Sequence, residues 1–338
     1  MSTLTDTRLR WQRQMADHVE CLSVSAAGQV AAGSLSGESV VLSIEDGTIL
    51  ATPAEHPFGV LTVSWSRDAD RLAVGGQDGR IRIYDGAGGA IADREIGGWA
   101  AASAWSPDDD LLAVAAGKRV FLIESDGSVR AEWPALTSTV TSLVWATNGR
   151  RVGAGCYGGV TWYDPDEPET ETRNFAWKGS VLALAAAPSG RWLASGNQDN
   201  SVHVWRLWSG DEMEMTGYPG KVTRLGFDAS SRWLAVASAA GVTVWDFAGK
   251  GPQGRRPSTL DRHDGEVTAL AWHPTEPLLA TGGADGNVAI WSSGKRFVLE
   301  GLVGVGDGTV SSLGWAPGSQ TVVAASSDGT VAAVERAP

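Results

Sequence analysis

Between His263 and Trp291, apolar and polar residues alternate in three short runs, VTALAW, LLATGG and NVAIW, separated by turns rich in Pro, Gly and Asp. A period of two with breaker residues between the runs is the pattern of three consecutive antiparallel strands, each with one buried face. The pattern recurs along the chain. Aligned on the first run, eight copies begin at Val19, Val60, Ala100, Val140, Val181, Val222, Val267 and Val310. Subtracting neighbouring starts gives spacings of 41, 40, 40, 41, 41, 45 and 43 residues. That is the length of one four-stranded unit in a closed ring. Nothing sustains a 3.6 period for ten or more residues, so no helix is expected.

The two ends set the expected architecture. The last copy stops after its third strand, DGTVAAVE, while TRLRWQRQ at 7–14 is a strand-like stretch with no unit of its own. Pairing the two would close the ring and remove its exposed edges. The expectation is therefore a single all-β domain over residues 1–338, a closed β-propeller of eight four-stranded antiparallel blades. Residues 1–16 supply the closing strand, and seven blades are the alternative.

Four polar side chains in the seventh copy stand at telling places: His263 before the first strand, Thr281 in the second, Asp285 in the ADG turn and Trp291 closing the third. A buried indole donor and a buried carboxylate need partners, and an imidazole can bridge them. With the eight copies in register, this unit resembles a WD repeat. The resemblance implies a hydrogen-bonded chain through His263, Thr281, Asp285 and Trp291. Other copies keep less of it. The second has His56, Asp78 and Tyr84, with Val74 where a hydroxyl would sit. The fifth has Ser195, Asp199 and Trp205, with Trp177 in place of the histidine. The third, fourth and sixth lack the Asp, and the eighth keeps Asp328 alone, so Asp328 is expected to matter less than Asp285.

Composition narrows the function. An apolar fraction of 43% and a charged fraction of 20% suit a globular domain. A net charge of -12 argues against binding nucleic acid or an anionic membrane, which needs clustered Lys and Arg. The nearest cluster, GKGPQGRR at 249–256, reads as an exposed loop. Two cysteines, Cys21 and Cys156, without ligand spacing make a disulfide framework or a zinc site unexpected. The first residues lack the apolar core of a secretory signal and no run is long enough to span a membrane, so a cytoplasmic location is expected.

Chemistry is not written in the motifs. There is no HExxH, no GxSxG, and no Gly-rich loop leading into a helix. Asp108 and Asp110 read as a solvated turn, and His203 as facing outward or into the channel. Neither catalytic residues nor cofactors nor metals are expected.

A contact surface is the better candidate. In a propeller, the loops before each first strand and the turns between second and third strands share one rim. His56, Phe58, Trp99, Trp177 and Tyr218 fall in those loops and Tyr157 in such a turn, and solvent loops are normally polar. Gln77, Lys118, Lys178, Gln198, Lys221 and Arg224 lie among them. These twelve residues are the expected binding face for a protein or peptide partner, on a chain that acts as a monomer. Trp99 and Trp177 should then be exposed, and Trp205, Trp245 and Trp291 buried. The alternatives are a small-molecule or metal site in the channel, as in a propeller enzyme, and an assembly helper for a neighbouring enzyme.

Overall fold

A computed structural model describes residues 7–107, 111–168, 173–207, 209–294 and 296–336. Among them the secondary structure is thirty β-strands and no helix. The seventh copy shows the plan. Val267–Trp272, Leu278–Gly283, Asn287–Ser292 and Val298–Gly304 pair antiparallel in that order, from the inside of the ring to the outside. The first strands of successive copies pack beside one another around the axis, and the strand of the last copy, Val310–Trp315, meets that of the first, Val19–Val24. Asp108 and Asp110 lie outside the described residues.

The expectation of eight separate four-stranded blades is corrected by the hydrogen bonding. The strands form seven sheets, six of four strands and one of six. The six-stranded sheet holds the copies that begin at 140 and 181. Its long strand Arg173–Ala186 pairs through its first half with Val152–Tyr163 and through its second half with Trp192–Asn197. The physical reason lies in two places. The turn GCYGGV has no Asp to cap it, and Gly158 and Gly159 at φ 97° and 122° keep the backbone bonded through the bend. Gly179, the one breaker residue between Trp177 and Val181, stays extended rather than turning, so the outer strand of one copy runs straight into the inner strand of the next.

Ring closure uses the N-terminal strand. Thr7–Gln14 pairs antiparallel with Thr330–Arg336, Thr7 opposite Arg336 and Gln14 opposite Thr330. Its Trp11 does more than fill an edge. The indole is buried against Gly47, and its Nε1 donates to the Ile44 carbonyl at 2.8 Å, reaching from the last sheet to the first. One apolar cluster accordingly joins Trp11 and Met15 to Val30, Leu42, Val323 and Val331.

Neighbouring sheets are also tied through their innermost strands. Four tryptophans that end these strands donate to a carbonyl in the preceding copy: Trp105 to Ser64 at 3.0 Å, Trp145 to Ala104 at 2.8 Å, Trp272 to Gly226 at 2.9 Å and Trp315 to Ala271 at 2.9 Å. At the other end, hydroxyls reach forward. Thr141 donates to the Val181 carbonyl at 2.7 Å, Thr268 to Val310 at 2.6 Å, and Ser311 to Val19. A bulge recurs at this second position, as between Val267 and Ala269 or Val310 and Ser312. Bulges turn a side chain out of the sheet's own alternation, here toward the next sheet.

Deleting residues 1–14 should therefore lower the melting temperature of the whole ring. Trp11→Ala alone should cost on the order of 3 kcal/mol, through the cavity and the lost indole bond. Denaturant unfolding followed by tryptophan fluorescence measures both. A truncated chain that melts unchanged would show that the ring does not need this strand.

Candidate functional site

The polar chain of the seventh copy forms in full. Trp291 Nε1 donates to Thr281 Oγ1 at 3.1 Å, and the Thr281 hydroxyl meets His263 Nε2 at 2.9 Å. His263 Nδ1 faces both oxygens of Asp285, at 3.1 and 3.2 Å. Because the carboxylate can only accept and the indole can only donate, a neutral His263 donates from Nδ1–H to Asp285, and its Nε2 accepts from the Thr281 hydroxyl. Burial works against the Asp285 anion. The backbone N–H of Asp264, the His263 ring and the N–H of Asn287 outweigh it and hold the carboxyl below its usual range.

The other copies show what replaces the missing members. In the second, His56 is fully buried, with Nδ1 on Asp78 at 2.9 Å, but Val74 offers no hydroxyl and His56 Nε2 is buried without a partner. In the sixth, Tyr218 is buried and its hydroxyl accepts from Trp245 Nε1 at 3.0 Å. In the fifth, aromatic stacking takes over. His203 lies between Trp177 and Trp205, ring centroids 4.2 and 4.4 Å away. In the eighth, Asp328 accepts from the backbone N–H groups of Asp307, Gly308 and Thr330 at 2.9, 3.1 and 3.0 Å. Burial notwithstanding, these bonds and the Thr330 side chain bring its pKa down to about 2. The lesser weight expected for Asp328 does not match those contacts.

These placements revise the expected rim. His56 and Tyr218 belong to the interior, where each serves a buried polar chain. Trp177 is half-buried, because His203 sits under its ring, and His203 is itself buried rather than outward or channel-facing. Trp205 and Trp291 are buried as expected, but Trp245 is half-buried. Gln77 is half-buried, while Lys118, Lys178, Gln198, Lys221 and Arg224 are exposed.

Three aromatics remain on the rim in the open: Phe58 is 78% exposed, Trp99 61% and Tyr157 56%. The other strongly exposed large apolar side chains are aliphatic and lie in outer strands, for example Ile49, Ile91, Val129 and Val298. The three rings lie along one continuous arc. Gly59, next to Phe58, accepts from Gln77 N, and Gly79 backs onto Gly98, beside Trp99. Gly98 in turn adjoins Gly117. Lys118 Nζ then bonds the Thr137 carbonyl at 3.2 Å, and the Thr137 hydroxyl meets the Tyr157 carbonyl at 3.4 Å.

Phe58 carries a further mark. Its φ of 74° is in the left-handed region that favours glycine. For a bulky side chain this costs on the order of 1–2 kcal/mol, and the exposed ring recovers no burial energy. Elsewhere, a groove of about 900 Å³ opens on the outer side between residues 211–216 and 250–255, lined by Arg191, Arg206, Lys250 and Glu214 among others. Among the described residues no group of three or more His, Cys, Asp or Glu is placed to hold a metal ion.

Two outcomes follow from the buried polar groups. Val74→Thr should give His56 Nε2 its missing partner and raise stability by up to about 1 kcal/mol, whereas Thr281→Val should lose roughly 1–3 kcal/mol by orphaning both His263 and Trp291. Denaturant unfolding of both variants checks the pair. Burial also pushes the pKa of His56 and of His203 below the ordinary histidine value, in His203 despite Glu212. Both are kept neutral in the fold, so the unfolded chain takes up protons first. Stability should be full above about pH 6.5 and fall as the pH drops from there toward the lowered folded values. His203→Phe, which keeps a ring in the stack, should flatten part of that slope in melts between pH 8 and 5.

Comparison with known proteins agrees with this geometry. The family model "WD domain, G-beta repeat" matches residues 47–85, 170–206, 254–292 and 301–332. Protein HIR1 of Cryptococcus neoformans var. neoformans serotype D is 32% identical over 133 residues, covering 34% of this chain and 15% of that protein. WD repeat-containing protein VIP3 of Arabidopsis thaliana is 29% identical over 157 residues, 43% of this chain and 49% of that protein. The chain thus spans half or less of these relatives. The crystal structure of the computationally designed Ika8 protein superposes with a TM-score of 0.80 at 20% identity, over 96% of this chain and 99% of that one, and shows the fold. Propellers with these repeats are in general non-catalytic scaffolds that bind other proteins. With its polar chain complete at 263–291, the chain carries WD repeats, matched by the family model in four places.

Proposed function

We propose that this protein is an interaction scaffold that binds a protein or peptide partner through the rim arc carrying Phe58, Trp99 and Tyr157. Phe58 is the observation that carries the reading. A ring held in a glycine-like backbone conformation and turned into solvent costs folding energy as strain and recovers none by burial. Folding does not account for it, and a contact made outside the chain does. Trp99 and Tyr157 extend the same surface, and aromatic anchors of this kind dominate binding energy at protein interfaces. Gln77, Lys118, Lys178 and Gln198 border them with polar groups that can set specificity.

Phe58→Gly separates the two roles. It should hold or raise the melting temperature by relieving the backbone, yet abolish capture of a partner from native extract. Trp99→Ala should likewise remove capture without changing the melt, while Ile49→Ala, on an outer strand, should leave capture intact. Normal capture by both rim variants would rule this face out.

A further inference from the structure

Resting on that rim reading, we propose that the arc docks an acidic peptide segment, its carboxylates met by Lys118, Lys178 and Lys221 and its apolar side chains by Phe58, Trp99 and Tyr157. The chain has five lysines; Lys118 and Lys221 stand on a turn and a loop of the third and sixth copies, and Lys178 is an exposed residue of the long strand Arg173–Ala186. Among the described residues none of the three pairs with a carboxylate. Lys118 instead rests on the Thr137 carbonyl, and Lys178 Nζ lies 5.3 Å above the centre of the Trp177 ring. Both contacts position a cation without neutralising it. The arginines that open the third strands behave differently: Arg80 pairs with Asp93 and Arg119 with Glu132.

Elsewhere on the rim carboxylates outnumber cations, although Arg262 stands beside Asp264, and Asp199 lies on the arc itself near Gly179. Asp17, Asp264, Glu266 and Asp307 are exposed on the loops of the first, seventh and eighth copies. On a chain of net charge -12 the lysine arc is a local exception. An acidic segment would be drawn to this half of the rim and repelled from the other, which fixes its placement as well as its affinity. Nucleic acid suits the arc less well. Its closely spaced phosphates need clustered cations, and a duplex spanning the ring would meet the acidic half. A peptide places its carboxylates as far apart as its sequence dictates, with apolar side chains between them for the aromatic rings.

Random twelve-residue peptides displayed on phage, selected on the full chain and counter-selected on K118E/K178E/K221E, test this directly. Enriched peptides should interleave Asp or Glu with apolar residues. By fluorescence anisotropy they should lose at least about tenfold in affinity for the triple variant and weaken as salt rises. K118Q/K178Q/K221Q serves in its place if charge reversal lowers the melting temperature. Neutral or basic peptides that bind the triple variant as tightly as the parent overturn the charge inference; if they still lose affinity on Trp99→Ala and Tyr157→Ala, the rim reading stands. Peptides indifferent to those two substitutions overturn both. Tighter binding of a single-stranded oligouridylate, or a concentration-dependent dimer abolished by the triple variant, would assign the arc to another occupant and overturn the proposal.

Discussion

The ring depends on how each sheet is fixed to the next. Within a sheet the backbone hydrogen bonds are satisfied strand to strand, but the innermost strand is an edge, and its outward carbonyls face the neighbouring copy. Apolar packing between sheets is strong and non-directional, so it cannot by itself set the angle at which they meet. The indole bonds can. Trp105, Trp145, Trp272 and Trp315 each reach back one copy to a carbonyl of the preceding inner strand, while Thr141, Thr268 and Ser311 reach forward from the other end. Two directional contacts at opposite ends of one strand leave little freedom of rotation. Trp11 extends the same principle to the seam, where the last sheet meets the first.

The polar chain seen at His263 is a second, local device, and the copies show that it is replaceable. What must be kept is a partner for the third-strand ring or for the turn. Tyr218 supplies the partner for Trp245, His203 sits in tilted ring contact with Trp177 and Trp205 while its Nε2 meets Glu212, and Asp328 organises its turn through backbone amides and the Thr330 side chain. Replacement is imperfect in the second copy, where Val74 leaves one imidazole nitrogen buried and unpaired, and in the fifth, where Trp177 Nε1, His203 Nδ1 and Trp205 Nε1 are buried without a hydrogen-bond partner. A buried donor or acceptor without a partner carries its full desolvation cost, and the inter-sheet contacts of those copies absorb it.

Much of this was legible in the sequence because it is local. Alternation and turn residues mark each strand, the period marks each copy, and the unpaired strands at the two ends mark the closure. The complete chain at His263, Thr281, Asp285 and Trp291 was legible for the same reason. The merging of two copies into one sheet was not. It depends on a Gly-rich bend staying in hydrogen-bonding register and on Gly179 staying extended after Trp177, where a count of repeats sees two ordinary units. The direction of a loop aromatic is equally non-local. Tyr218 and Trp177 turn inward because Trp245 and His203 await them there. The inter-sheet tryptophans did leave a signal. Trp65, Trp105, Trp145, Trp272 and Trp315 all close inner strands, a recurrence that hydrophobic patterning alone would not require.

Two of the three exposed rim aromatics stand in copies that lack the repeat's His–Asp pair; Phe58, beside His56, is the exception. Where the His–Asp pair is present, as at His56–Asp78 and His263–Asp285, the rim loop is pinned to the turn beside it, and its polar groups are spent inward. The third and fourth copies have no such pair. Their turns are the short Gly117–Lys118 bend and the Gly158–Gly159 bend, and the side chains released there, Trp99, Lys118 and Tyr157, point to solvent. A ring held together by contacts between inner strands can give up the polar chain in some copies without losing its closure. The copies that gave it up carry most of the exposed arc. The inner strand thereby holds the ring, and the turn between the second and third strands is left free to vary from copy to copy.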